Sequence, residues 1–475
     1  MNTSTLVIHH VGGRWGNRSF PVLPMFESDF LSVLYDADTD AIAGIHTANQ
    51  ALNSQQIVLP ICLAEADGPK TLYISLNPGC TSLLSPGTAW DSHYINLFGI
   101  DMDFPHGSRI IEERPINARS LDSFLADDDC ACPPPDFLSL DTQGSEYEIL
   151  QGALKTLKHH VCGLVIEVEF VELYQGQKRF QDICDFLHEL GFSFVRFLSI
   201  GELSGPKAPL GFRGIGYQTW ADALFLRRPE KAIQDINPDH FERFIRKLCF
   251  IATVYGQIEL VILCFNTYSS AFFKQRNQAN ALINDRPKYD NFLDDLFTVY
   301  EQAEKVFPPV FSEHITQGNC QKFAAANVNE QYQILGLEQL ANPQFITALA
   351  KLQSEDDTLF EQVLRNYGFT DLATQLNYKR RDQVFKAKTA ISHASTTASA
   401  DSGVKIDNQE LDVTLEIPKQ LNASTKDKEL CDLQENIQLL QQLIDANAQI
   451  LAMESSKFWK LRRKWLQLKN IIGLY

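Results

Sequence analysis

The residues best suited to chemistry lie in one short run, Asp136-Phe137-Leu138-Ser139-Leu140-Asp141-Thr142-Gln143-Gly144-Ser145-Glu146. Its apolar start reads as a buried strand that delivers Asp141 to its carboxyl end. Gly144 turns the chain, and Glu146 opens a helix, where an acid suits the positive end of the helix dipole. Two other runs share this design. Gly12-Gly13-Arg14-Trp15-Gly16 follows the apolar run Leu6 to Val11, and glycines there let the backbone turn sharply and approach a ligand closely. Asp36 closes a second apolar run, Leu31 to Tyr35, roughly 20 residues after that turn, where a carboxylate can accept two hydrogen bonds from a ribose diol. Each feature also has a plain reading: an ordinary turn, a solvated loop that also holds Asp38 and Asp40, and a favourable first-turn charge at Glu146.

The elements that must position these residues alternate along the first half of the chain. Ile57 to Ala64, Phe137 to Leu140, Gly163 to Val168, Phe192 to Leu198 and Ala223 to Leu226 read as further strands. Glu146 to Leu157 reads as one amphipathic helix, with Tyr147, Leu150, Ala153, Leu154 and Leu157 on a common face. Phe180 to Leu190 reads as another, closed by Gly191. Strands alternating with helices predict an α/β fold, a mostly parallel, doubly wound sheet whose ligands bind at the carboxyl ends of the strands. Asp141 and Glu167 end adjacent strands in this scheme and face one pocket.

The run Phe137 to Ala153, FLSLDTQGSEYEILQGA, closely resembles the signature of the FkbM-type methyltransferases. The resemblance extends to Leu63-Ala64-Glu65-Ala66-Asp67-Gly68, Cys80-Thr81-Ser82-Leu83, Arg119-Ser120-Leu121-Asp122, Val165-Ile166-Glu167 and Ala221 to Leu226, in family order. It implies a Rossmann-like domain over residues 1–230 that uses S-adenosylmethionine. It adds Ser82 and Asp122 to Gly12, Gly13, Gly16, Asp36 and Asp141 as expected cofactor contacts. It also implies O-methylation of a sugar, glycan or related metabolite. A hydroxyl acceptor must lose its proton as the bond forms. Asp141 is the first choice of base and Glu167 the second, with His93, His106, His159 and His160 as alternatives. No metal is expected, the alternative being a divalent cation shared by Asp141, Glu146 and Glu167. Two positions depart from the family: His10 stands where an acid is frequent, and Ser139 where many members have Lys. They leave a rival reading, a catalytically inactive scaffold that assembles through its C-terminal half.

Bulk properties narrow the classes. The 475 residues carry a formal net charge of −17, which argues against nucleic-acid binding. Met1 to Phe20 has no secretory pattern, and the longest apolar stretch, Leu248 to Phe265, is interrupted by Gln257 and Glu259, so a buried helix is expected there. The ten cysteines lack metal-site spacing and suit free thiols in a reducing cytoplasm. Residues 235–388 read as a helical module and 390–424 as a Ser/Thr/Ala-rich linker. Residues 425–475 carry a heptad seam, Leu430, Leu433, Ile437, Leu440, Ile444, Leu451, Phe458, Leu461, Trp465, Leu468 and Ile472, which predicts a coiled-coil homo-oligomer. Basic residues from Lys457 onward, beside Trp459, add a secondary, membrane-peripheral contact with an anionic surface. Met453 to Arg462 resembles the C-terminal tails of bacterial glycan-biosynthesis proteins, which favours a glycan acceptor.

Overall fold

The computed structural model describes residues 5–12, 20–38, 55–91, 93–97, 100–128, 130, 132–204, 216–272, 286–303, 320–326 and 357–401, with positions 42, 346, 347, 349, 350 and 352. Gly13, Gly16, the heptad stretch and most of the expected linker lie outside these residues.

Among the described residues twelve strands form two sheets. They are β1 (Leu6–Val11), β2 (Phe30–Tyr35), β3 (Gln55–Leu59), β4 (Cys62–Leu63), β5 (Gly68–Ser75), β6 (Tyr94–Leu97), β7 (Ile100–Asp103), β8 (Ile110–Arg119), β9 (Phe137–Leu140), β10 (Gly163–Glu169), β11 (Phe192–Ser204) and β12 (Tyr217–Arg227). The large sheet has the order β3-β2-β1-β9-β10-β12-β11-β6-β7, and a small one the order β4-β8-β5. From β3 to β10 every neighbour is parallel, whereas β12 runs antiparallel to β10 and to β11. β1, β2 and β9 are buried along their whole length, as expected of strands in a parallel sheet covered on both faces.

The helices are α1 (Phe104–Gly107), α2 (Leu121–Leu125), α3 (Glu146–Gln151), α4 (Leu154–His159), α5 (Phe180–Glu189), α6 (Pro229–Asp235), α7 (Pro238–Val254), α8 (Ile258–Phe272), α9 (Lys288–Ala303), α10 (Cys320–Ala325), α11 (Leu359–Asn366) and α12 (Thr370–Asp401). On one face Val7, Leu138, Leu164 and Ile166 pack with Leu121, Ile149, Leu157 and Ile183 from α2 to α5. On the other, Leu6, Ile8, Phe137, Val165 and Leu224 pack with Phe244, Leu248, Phe265, Leu296 and Leu364 from α7, α8, α9 and α11. Lys247 of α7 fastens the two layers, its Nζ donating to Asp136 Oδ2 at 2.6 Å and to the Thr5 carbonyl at 2.9 Å. Among the described residues no helix is long and apolar enough to cross a membrane.

Several boundaries differ from the sequence expectation, each for a local reason. The expected strand Ile57 to Ala64 is two strands in different sheets, split at Pro60, which has no N–H to give a ladder. The expected helix Glu146 to Leu157 breaks at Gly152, where a Cβ would lie 2.1 Å from the carbonyl oxygen of Ala64. β5 and β8 escaped notice because β8 is half-buried or exposed at nearly every position and so carries no apolar run. α12 continues to Asp401, into the stretch read as linker; that stretch has no Gly or Pro before Asp401, and alanines favour the helix.

The boundary expected near residue 230 does not separate two cores. Residues Met1–Thr397 form one compact unit, and the sheet shares its second hydrophobic layer with α7 to α9. A fragment ending at Pro229 would leave Ile8, Phe137, Val165 and Leu224 uncovered, an apolar face far larger than a soluble monomer usually shows. Such a fragment is expected to aggregate or to bind a hydrophobic dye strongly. A monodisperse fragment with a cooperative melt would refute the shared core.

Candidate active site

The parallel register lines up four strand ends. Val11 pairs with Tyr35 and with Leu140, and Leu140 pairs with Ile166. The next residue along each strand is therefore Gly12, Asp36, Asp141 or Glu167, all at one edge of the sheet. Gly12 has φ +87°, and a Cβ there would lie 1.8 Å from the carbonyl oxygen of Asp141. Both its conformation and the close approach of β1 to β9 demand glycine. Gly12, Asp36 and Asp141 open onto a cleft of about 720 Å³, counting the part open to solvent, whose wall also includes Ser82 and Gln143; Glu167 is not in that wall. Ile61, Leu63, Leu72, Leu83 and Ile149 give it an apolar side, and among the described residues no Lys or Arg lines it.

The Asp141 loop is held by a buried carboxylate. Glu146, 1% exposed, accepts from the Thr142 amide at 2.6 Å, the Thr142 hydroxyl at 3.0 Å and the Gly144 amide at 2.9 Å. Burial nevertheless pushes its carboxyl up to about 7, against the pull of those donors, and the neighbouring Asp141 adds to the rise. Gln143 sits at the crest with φ +60°, a conformation that costs a non-glycine residue about 1–3 kcal/mol unless its surroundings enforce it. They do so here. Ser82 Oγ donates to the Gln143 carbonyl at 2.8 Å and Tyr174 Oη donates to Gln143 Oε1 at 3.1 Å. Gln143 Nε2 in turn donates to Asp141 Oδ1 at 2.9 Å and to Glu167 Oε2 at 2.5 Å. One amide thus ties together the two carboxylates that the sequence singled out.

Desolvation holds the Glu167 carboxyl well above the ordinary carboxylate range, with the charges of Asp141 and Glu169 adding to it. The buried Glu169 is raised in the same way, and its Oε2 has no hydrogen-bond partner. Burial of this kind favours the protonated form of a carboxyl. Asp36, 9% exposed, accepts the Asp38 amide at 2.8 Å, and Asp38 pairs with Arg114 at 3.0 Å.

Other expected residues lie elsewhere. Asp122 is not in the cleft wall. Its carboxylate accepts from the Lys155 amide at 2.7 Å, the Thr156 amide at 2.9 Å and the Thr156 hydroxyl at 2.7 Å, and so caps α4. His159 and His160 precede β10, at the opposite end of the sheet from Asp141. His93 packs against the rings of Trp90 and Tyr217, and His106 lies in α1; neither lines the cleft. Among the described residues no three His, Cys, Asp or Glu are grouped to hold a metal ion. Both Glu146 oxygens are taken by loop donors.

The two departures from the family resemblance meet each other. His10 and Ser139 are register partners on β1 and β9, both buried, and His10 Nδ1 lies 2.7 Å from Ser139 Oγ. An acid and a lysine at these positions would face each other as a buried ion pair. A neutral hydrogen bond fills the same space without the desolvation cost of two charges, so the departures leave the Asp141 end of β9 intact.

Residues 37–194 match the family model of the methyltransferase FkbM domain. The match covers about a third of the chain. It contains Ser82, Asp141, Gln143, Glu146, Glu167 and Tyr174, while Gly12 and Asp36 precede it and enter the cleft through strand register alone. No curated protein and no solved structure matches the chain. Within the FkbM-domain stretch, sequence reasoning missed Gln143 and Tyr174. Gln143 lay in the singled-out run, but nothing in its neighbours announced a left-handed backbone. Tyr174 sits 31 positions away from its partner, with no local pattern to mark it.

Removing the Glu146 carboxylate would leave buried amides of the Asp141 loop unsatisfied. Glu146→Ala is expected to cost roughly 2–3 kcal/mol in urea unfolding, and Glu146→Gln less. Unchanged stability in both variants would show that the loop holds its shape without this side chain.

Proposed function

We propose that this protein is an S-adenosylmethionine-dependent methyltransferase acting on a hydroxyl of a sugar, glycan or related metabolite. The observation that carries the cofactor reading is the chemistry of the cleft lining: Asp36, Asp38 and Asp141 face it, and among the described residues no Lys or Arg does. Phosphate groups gain from cationic donors, and the described lining supplies none. A cofactor bearing a sulfonium and an ammonium needs carboxylates, so the donor set fits S-adenosylmethionine. The FkbM-domain match over residues 37–194 supports the same reading.

The bound cofactor supplies an electrophilic methyl carbon on a sulfonium. The chain's own residues do the rest. Asp36 offers carboxylate oxygens to a ribose diol at the end of β2. Ile61, Leu63, Leu72 and Leu83 offer an apolar shelf for a planar base. Asp141 receives the proton of the acceptor hydroxyl as its oxygen gains the methyl group. Gln143 holds Asp141 through its Nε2, and the Glu167 carboxyl on the same amide is raised by burial. Alignment of this kind can contribute several kcal/mol, and a positioned base about 10²–10⁴-fold.

Calorimetric titration is expected to show S-adenosylmethionine binding to the full chain, weakened by about 1–3 kcal/mol in Asp36→Ala. Asp141→Asn, nearly isosteric, is expected to bind cofactor and lose most turnover in an assay of labelled cofactor with fractionated glycans. Absence of binding at millimolar cofactor would leave the scaffold reading in its place, and full turnover of Asp141→Asn would remove Asp141 as base.

Self-association through residues 425–475, with a salt-sensitive contact to anionic membranes, is a proposal that rests on the heptad pattern and its basic end. Sedimentation is expected to give a larger mass for the full chain than for a chain ending at Ser424; equal monomeric masses would refute it.

A further inference from the structure

A second, larger cavity lies at the other end of the sheet. It spans about 1550 Å³, counting the part open to solvent, and is bounded by the starts of β1, β2, β3 and β9, by the end of α4 and by one side of α7. Among the described residues of its lining five have cationic or protonatable side chains, Lys247, Arg243, His159, His160 and His240, against a single carboxylate, Asp136. Lys247 neutralises that carboxylate directly, Nζ to Oδ2 at 2.6 Å. Arg243 on α7 is exposed and forms no ion pair among the described residues, and the rings of His160 and His240 are likewise without side-chain partners there. His159 Nδ1 donates to the Asp235 carbonyl, 3.0 Å away.

This local balance runs against the chain as a whole, which carries −17. An unpaired guanidinium, with its rigid fork of donors, beside a lysine and three imidazoles at a concave site is an arrangement suited to phosphate. Burial holds the His160 ring below its ordinary value, with His159, His240 and Lys247 adding to the effect and Asp136 opposing it. Each of these groups faces the cavity, and an anion among them would reverse that shift. The cleft at the carboxyl ends has the opposite character, so one sheet presents an acidic site at one end and a cationic site roughly 15 Å of strand away at the other.

We propose that the cavity at the amino ends of the strands is a second ligand site, which takes a small molecule bearing phosphate groups and is separate from the cofactor cleft. Its position beneath β1 and β9, the strands that carry Gly12 and Asp141, makes it suited to an effector. The proposal does not depend on the methyltransferase reading.

The test is titration of inorganic pyrophosphate into the full chain at constant ionic strength, at pH 6.5 and pH 8.0. One saturable site is expected at both pH values. Arg243→Glu is expected to weaken it at least tenfold and His240→Ala to weaken it measurably. Both side chains are exposed, so both variants should melt as the wild type does, and Arg243→Glu should bind S-adenosylmethionine as the wild type does. No saturable binding at either pH, or binding undiminished in both variants, overturns the proposal. Loss of cofactor binding with pyrophosphate binding intact would count against the proposed function alone.

Discussion

Four parallel strands held in one hydrogen-bond register determine where everything else in the sheet domain can be. Because Val11 faces both Tyr35 and Leu140, and Leu140 faces Ile166, the first residue beyond each pairing arrives at the same edge. A slip of one residue in any strand would turn its side chains to the other face and move its terminal group away from the cleft. The close packing of Gly12 against the Asp141 carbonyl fixes that register at its most sensitive point, since no side chain fits between the two strand ends.

Register delivers the groups, and buried polar contacts then hold them. The loop after β9 turns through a left-handed residue, Gln143, which three partners and a buried glutamate keep in place. A half-satisfied network would cost more than an apolar loop, whereas a filled one is rigid. Here the filled network joins Tyr174, Asp141 and Glu167 through the Gln143 side-chain amide and Ser82 through the Gln143 carbonyl. The same principle explains why His10 and Ser139 are harmless together: each satisfies the other in a place where an isolated polar group would be expensive.

The helical layer is part of the same body. Its apolar residues close the second face of the sheet, and its charged ones act at the seam. The buried Arg246 of α7 pairs with Asp290 and Asp294 of α9, and Lys247 reaches across to Asp136 at the foot of β9. A consequence is electrical asymmetry along the strands: carboxylates gather at the carboxyl ends, and α7 brings cations to the amino ends. The two ends suit ligands of opposite charge.

The central strands and the signature loop were legible in the sequence because burial on both faces demands unbroken apolar runs, and such runs need no knowledge of the partner. Leu6 to Val11, Leu31 to Tyr35 and Phe137 to Leu140 carry that signal, and the groups at their ends follow from it. Strands that face solvent carry none, so β5 and β8 could not be read. Nor could the roles of Asp122 and Glu146, since the same acidic residue serves a ligand or caps a helix depending on which amides tertiary packing brings to it. Gln143, Tyr174 and the pairing of His10 with Ser139 are contacts between residues far apart in the chain, and only the folded sheet decides them. The cationic cavity has the same origin. His159, Arg243 and Asp136 lie far apart in the chain, and their side chains line one site only because α4, α7 and β9 meet at the same edge of the sheet.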